Sequence, residues 1–245
     1  MGKIDIIITM GGIGKRFREA GYTVPKYMID AKGKTLFEWS LLSLRDMKDH
    51  VEKYVFVALK DKEVDVNEFI TQKCEELNIR AYEIVLLDEL TDGQATSANI
   101  AMKYCSKDIP VLIYNIDTYV EPGEMKFEDF KGDGFIPCFK ADGDHWSFVK
   151  LDENGCVTEI KEKVRISDNC TIGAYYFRTA GLYSELYKEL YVEPNDYVFD
   201  NKEKYIAPMY DYLLKKGGEI YISDIPGDKV HVLGTPKELD EFIAG

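Results

Sequence analysis

The sequence predicts an α/β fold, a Rossmann-like, mostly parallel central sheet flanked by helices with a smaller mixed β elaboration in its second half. Three observations predict it. Apolar strand-like runs alternate with helix-period segments through the first half, and βαβα order gives a parallel sheet covered on both faces. The first run, Ile4–Met10, breaks into glycines, as strands do at the carboxyl edge where such sheets collect ligands. Beyond about Gly123 the helical periodicity yields to short strands and a hairpin signal.

In chain order, β-branched and aromatic runs place strands at Ile4–Met10, Tyr54–Leu59, Ala81–Leu87 and Val111–Tyr114. Apolar residues at helical spacing place helices at Leu36–Met47, Val66–Leu77 and Ser97–Tyr104, with Thr96 or Ser97 as the cap of the last. Strands follow at Gly134–Cys138 and Ser147–Leu151, then the turn Asp152-Glu153-Asn154-Gly155, then strands at Val157–Ile160 and Gly173–Phe177. Helices at Ala180–Tyr191 and Lys204–Lys216, the second closed by Gly217-Gly218, precede a strand at Glu219–Ser223 and a helix at Pro236–Ile243. No repeat or Pro/Ser-rich linker divides the chain. Residues 1–245 therefore read as one domain with halves 1–122 and 123–245.

A 245-residue chain that is 45 % hydrophobic can bury a large core. Its net charge of −13 argues against nucleic acid or an anionic membrane as partner. Five scattered cysteines without a C-x-x-C suggest neither a disulfide framework nor a zinc site. The N-terminal apolar run ends in glycines and charge, without the cleavage site of a signal peptide, and no segment is long enough to span a bilayer. A soluble cytoplasmic protein is expected.

Ile6-Ile7-Ile8-Thr9-Met10-Gly11-Gly12-Ile13-Gly14-Lys15-Arg16-Phe17, followed by Pro25-Lys26, describes a buried strand ending in a phosphate-binding loop. Glycines let backbone N–H groups converge on an anion, and Lys15, Arg16 and Lys26 add positive charge. The Rossmann G-x-G-x-x-G fails at Phe17, and a Walker A motif ending at Gly33-Lys34-Thr35 would need glycine where Met28 stands. The remaining pattern, G-G-x-G-x-R-F with a downstream P-K, resembles the signature of the sugar-phosphate nucleotidylyltransferases.

Three further segments extend that resemblance in order. Val111–Asn115 leads to Ile116 and Asp117, and period-two spacing sets Asn115 and Asp117 on one side of the strand end. The resemblance implies that Asp117 binds Mg²⁺ on the nucleotide phosphates. Gly93-Gln94 before a helix supplies hydrogen-bonding groups of both polarities for a base edge and is similar to the family's base-recognition segment. Ser147–Leu151, Glu159–Lys163 and Ile172–Phe177 follow the family's order for the sugar-phosphate pocket. One of Lys161 and Lys163 reads as a solvated strand residue.

The resemblance, from Ile4 to about Phe242, implies a GT-A-like fold and the conversion of an NTP and a sugar 1-phosphate, or a related phosphomonoester, into an NDP-sugar and pyrophosphate. It gives Arg16, Lys26, Asp117 and Lys163 catalytic roles. Met10, Gly11, Gly12, Gly14, Lys15, Gly93, Gln94, Ser97 and Asn115 are assigned to the nucleotide, and Glu162, Lys163 and Gly173 to the phosphosugar. Gly93-Gln94-Ala95, Asn115-x-Asp117 and Glu203–Tyr212 are most similar to small single-domain enzymes of bacterial capsule and surface-polysaccharide pathways. A GT-A glycosyltransferase and a non-catalytic pyrophosphorylase-like subunit are the alternatives. A glycosyltransferase has no need of the grip formed by Gly11–Arg16 and Lys26, because its donor has no pyrophosphate to lose. The base, the sugar and the oligomeric state stay open, a homodimer included.

One departure stands out: the family often carries W-x-D-x-G-T near the C-terminus, whereas this chain reads Val230-His231-Val232-Leu233-Gly234-Thr235. Val232 replaces the second metal carboxylate, so Mg²⁺ is expected on Asp117, the nucleotide phosphates and several waters, with Asp200, Asp224 or Asp228 the alternative sources of the missing ligand. Arg16→Ala and Lys26→Ala, both at expected exposed loop positions, should each lower turnover by about 100-fold or more, the scale for removing one transition-state charge partner. Pyrophosphate release by the purified variants measures this, and near-normal rates in both would exclude the phosphate grip.

Overall fold

The computed structural model describes residues 2–197 and 203–245. Its elements are β1 (Ile4–Met10), α1 (Lys15–Glu19), β2 (Asp30–Ala31), β3 (Lys34–Thr35), α2 (Leu36–Leu42), β4 (Val51–Leu59), α3 (Val66–Glu76), β5 (Tyr82–Leu87), α4 (Gln94–Ala101), β6 (Val111–Asn115) and β7 (Thr118–Val120). Then follow β8 (Gly134–Lys140), β9 (Ser147–Leu151), β10 (Val157–Glu162), β11 (Asn169–Thr171), β12 (Ala174–Phe177), α5 (Ala180–Tyr191), α6 (Ala207–Lys215), β13 (Ile220–Ile225), β14 (Val230–Val232) and α7 (Pro236–Ala244).

A single ten-stranded sheet in the order β10-β9-β11-β8-β12-β6-β1-β4-β5, with β13 also paired to β8, runs through the described residues. The β1, β4, β5 and β6 neighbours pair in parallel, as the βαβα pattern predicts. Beyond β6 the pairing turns antiparallel through β12, β8, β11, β9 and β10, and β13 alone runs parallel to its neighbour. The mixed β portion thus continues the sheet of the first half. Ile6, Ile8, Phe56 and Tyr114 bury one face and Ile7, Val55, Val57 and Ile113 the other, the alternation of strands covered on both sides.

Several boundaries move. The helix expected over 36–47 ends at Leu42, with a 3₁₀ turn at Arg45–Met47. Its start is fixed by a capping box: Thr35 accepts from the Glu38 N–H at 3.3 Å, and the Thr35 N–H donates to Glu38 at 2.8 Å. The helix expected from Ser97 begins at Gln94 with Gly93 at its cap, so neither Thr96 nor Ser97 caps it. Instead Thr96 donates to the Asp92 carboxylate and Ser97 pairs with the Thr91 hydroxyl at 2.7 Å. The helix expected from Lys204 begins at Ala207, because residue 204 is tied to the 92–95 loop. The segment expected as one strand over 173–177 is preceded by β11, which was not expected.

The chain crossing from the second half to the first builds the site. Lys204 donates its N–H to the Asp92 carbonyl at 2.8 Å, its carbonyl accepts from the Ala95 N–H at 3.0 Å, and its ammonium lies 2.8 Å from the Asp92 carboxylate. Gly93, at φ +149°, is needed there: a Cβ would stand 2.3 Å from the Lys204 carbonyl oxygen. The 203–205 segment is thereby held over the start of α4.

Candidate active site

Two hollows at the carboxyl ends of β1 and β6 share Gln94, Asn115, Asp117 and Tyr205 and form one cleft. The half of about 290 Å³ is lined by Thr9, Gly11, Gly12, Lys26, Leu90, Thr91, Gly93, Ser97 and Glu203 together with the shared residues. The other, of about 280 Å³, takes Arg16, Glu162, Lys163 and Gly173, and His145, Trp146 and Thr171 beside them.

At the junction the Lys26 ammonium lies 2.5 Å from the Asp117 carboxylate, their side chains 15 % and 24 % exposed. Lys26 follows Pro25 in a 3₁₀ turn pinned by the buried Tyr27. It is therefore held in the cleft, not displayed on an exposed loop as the sequence suggested. Asp117 sits in the turn between β6 and β7, its carbonyl accepting from the Leu233 N–H at 2.8 Å. The β7–β14 pairing, with Val232 opposite Thr118, brings the 233–235 segment alongside.

The Gln94 amide donates to Thr9 Oγ1 at 3.0 Å and to the Asn115 side-chain oxygen, bridging β1 and β6. It stands where the two halves meet. Gly173, at φ +80°, lies against the same group: a Cβ there would come 2.1 Å from Asn115 Nδ2.

Opposite, the Ser147 hydroxyl donates to Glu162, and Tyr175 completes a buried network with Ser147 at 3.2 Å and Thr171 at 3.1 Å. Burial pushes the Glu162 carboxyl above its ordinary value, against the lowering effects of the Ser147 hydroxyl and the Lys163 charge. Lys163 adopts φ 56° and places its ammonium 4.3 Å from the Tyr205 ring centre. Tyr205 in turn donates to Glu203. Lys161 stays outside the cleft, 4.0 Å from Glu159, as the alternating strand reading allowed for one of the two lysines.

Of the sequence-selected residues, Gly11, Gly12, Arg16, Lys26, Gly93, Gln94, Ser97, Asn115, Asp117, Glu162, Lys163 and Gly173 line this cleft. Arg16 does so on the Glu162–Lys163 side. Met10 and Lys15 are not among the residues lining these two halves: they line an adjoining hollow with Gly12, Tyr27, Leu59 and Lys60. Met10 is buried against the core, and Lys15 projects from α1 near Glu19. Gly14 serves as the N-cap of α1 at φ 61°. Asp224 lies 3.8 Å from Lys140, neither it nor Asp228 lines the cleft, and Asp200 is outside the described residues. Sequence reasoning selected none of His145, Trp146, Glu203, Tyr205 and Glu238 as site residues, although Glu203 and Tyr205 fall within the Glu203–Tyr212 segment of the resemblance; three separate segments of the second half carry them.

The nucleoside-diphosphate-sugar pyrophosphorylase of Vibrio cholerae RC9 is similar over 98 % of this chain and 100 % of its own, at 32 % identity and a TM-score of 0.89. The inositol-1-phosphate CTP transferase of T. maritima matches 100 % of this chain and 96 % of its own at 18 % identity and a TM-score of 0.77. A glucose-1-phosphate thymidylyltransferase of Bacillus anthracis matches 98 % and 94 % at 15 % identity and a TM-score of 0.76. These last two likenesses bear on the fold alone. No family model and no curated protein matches the sequence.

Gly173→Ala should force Asn115 and its bridge to Gln94 aside. We expect a loss of about 1–3 kcal/mol of stability, the cost of a strained backbone position, read as a lowered denaturation midpoint; wild-type stability would show that Asn115 is not fixed by this contact.

Proposed function

The chain belongs to the sugar-phosphate nucleotidylyltransferase family, and from that premise we propose that it converts an NTP and a sugar 1-phosphate into an NDP-sugar and pyrophosphate, acting as one domain over residues 1–245. The observation that carries this reading is the divided cleft. A glycine-loop half bearing Lys26 and a half bearing Glu162 and Lys163 meet at Asp117. One side suits a nucleotide and the other a phosphorylated sugar.

The acceptor phosphate attacks the α-phosphorus in line with departure of pyrophosphate, so positioning and charge neutralisation suffice and no side-chain nucleophile is needed. Lys26 neutralises charge around the α-phosphate. Lys163, aimed across Tyr205, orients the attacking phosphate, and Glu162 accepts sugar hydroxyls. Arg16, exposed on the first turn of α1 and without an ion pair among the described residues, lines the Glu162–Lys163 half; its assignment to the leaving pyrophosphate, with the glycine-loop N–H groups, rests on the family resemblance and not on which half it lines. Gly11, Gly12, Gly93, Gln94, Ser97 and Asn115 seat the base and ribose.

The family implies a divalent ion. No group of three or more His, Cys, Asp or Glu residues arranged for a metal occurs among the described residues; Mg²⁺ is commonly held by one or two carboxylates plus substrate phosphates. A hard oxygen donor is present: the Asp117 carboxylate, which Lys26 also reaches, faces space that a Cβ on Gly234 would fill, 3.2 Å from Asp117 Oδ2. Asp117 would hold the ion, which when bound supplies positive charge to the nucleotide phosphates.

No helix among the described residues is long and apolar enough to cross a membrane. We place the enzyme in the cytoplasm and its product in capsule or surface-polysaccharide synthesis. The second assignment rests on the likeness of Gly93-Gln94-Ala95, Asn115-x-Asp117 and Glu203–Tyr212 to enzymes of those pathways.

A matrix of the five common NTPs against sugar 1-phosphates and related phosphomonoesters, read as pyrophosphate release, tests the activity. One NTP paired with one class of acceptor should give turnover requiring a divalent ion. Hydrolysis alone, or no release with any pair, would reject the reading. Glu162 gives a pH signature. Its raised value means that protonation begins, on acidification, above the ordinary carboxylate range, so the KM for the acceptor should rise there as pH falls. Glu162→Gln should flatten that limb; an unchanged limb would remove Glu162 from acceptor binding.

A further inference from the structure

We propose that Glu238 supplies the second carboxylate facing the divalent-ion position at Asp117, in place of the side chain lost at Val232. The inference rests on the reading of the cleft just given. It starts from one unpartnered oxygen: Glu238 is a half-buried residue whose Oε2 is withdrawn from solvent and accepts no hydrogen bond. Buried carboxylate oxygens are costly to leave unpaired, so this one calls for a cation or a donor from outside the chain.

Its position follows from how α7 begins. Thr235 caps the helix, accepting the Glu238 N–H at 3.2 Å. The spacing Thr-x-x-Glu is that of a capping box, and the chain contains a second example in which the box closes. At the start of α2 the Glu38 carboxylate returns to the Thr35 N–H at 2.8 Å. Glu238 occupies the corresponding place in α7, yet its carboxylate makes no such return bond. A purely capping role would have closed this box as it closes the first.

Glu238 lines the half that also contains Asp117, Val232 and Gly234. A Cβ on Gly234 would stand 3.6 Å from Glu238 Oε2 and 3.2 Å from Asp117 Oδ2, so the missing side chain of this glycine leaves a gap between two carboxylate oxygens. Lys26 reaches one of them, Asp117 Oδ2, at 2.5 Å, and nothing among the described residues reaches the other. Val232 lies on β14, and Glu238 on the helix that follows, so the lost carboxylate is replaced from one element further along the chain.

Mn²⁺ binding, followed by the paramagnetic signal of the free ion, tests this on the full chain holding the α,β-methylene analogue of the NTP that it turns over. Glu238→Gln should weaken Mn²⁺ by about 10-fold or more, the range for removing a supporting ligand of a metal site. Affinity for the analogue without metal should stay unchanged. Thermal melting controls for the fold of α7, and Glu238→Asp, which keeps the charge, should bind Mn²⁺ more tightly than Glu238→Gln. Wild-type Mn²⁺ affinity in Glu238→Gln would overturn the proposal, as would an equal loss of analogue affinity without metal. Asp117→Asn separates the two levels of inference. If it weakens Mn²⁺ while Glu238→Gln does not, only the assignment of Glu238 fails; if neither does, the metal reading of the cleft fails with it.

Discussion

Lys26 and Asp117 meet 2.5 Å apart at the junction of two half-clefts, and the cleft's construction converges on that pair. One partner comes from the turn after the glycine loop and the other from the turn after β6, so the pair ties these two segments together across the cleft. Both side chains are partly withdrawn from water, which strengthens their attraction and makes the loss of either one costly to the other. The same low-dielectric setting serves a reaction in which negative charge gathers around one phosphorus. In the proposed reaction, an ammonium and a carboxylate already in place would leave little reorganisation for the moment of transfer.

The sheet makes this convergence possible. Because β12 pairs antiparallel with β6, Gly173 lies against Asn115 and the second half of the chain is bonded directly to the strand that ends at the cleft. The polar network of Ser147, Glu162, Thr171 and Tyr175 is then carried on strands of the same sheet as the glycine loop. From the opposite side, Lys204 ties the approach to α6 onto the start of α4. Tyr205, one residue on, lines both halves of the cleft. Within an acidic chain, net charge −13, the cleft thus brings Arg16, Lys26 and Lys163 together with the carboxylates of Asp117, Glu162, Glu203 and Glu238.

Much of this was legible in the sequence because local chemistry enforced it. Ile4–Met10 had to be a strand, since an uninterrupted β-branched run ending in glycines has few other outcomes, and its bounds agree with the structure. Ala180–Tyr191, capped by Thr179, was equally well marked. Residues whose role depends on a motif, Lys26, Asp117 and Lys163, meet in the cleft. What escaped depends on distant contacts. The start of α6 is displaced by the Lys204 tie, which no local pattern signals, and Gln94 rather than Ser97 opens α4 because Gly93 packs on that same residue. Met10 and Lys15 stand beside motif glycines but face a neighbouring hollow, since alternation along β1 and the turn into α1 decide their direction. Glu238 read as an ordinary third residue of a helix; only its unclosed capping box and its place beside Gly234 distinguish it.

The stereochemical course at the α-phosphorus is the most direct measure of whether this cleft works by positioning and charge alone. With a chiral α-thio analogue of the accepted NTP, attack by the acceptor phosphate in one step inverts the phosphorus. Inversion in the NDP-sugar product is the outcome expected here. Retention would require a covalent nucleotidyl-enzyme intermediate and would contradict it.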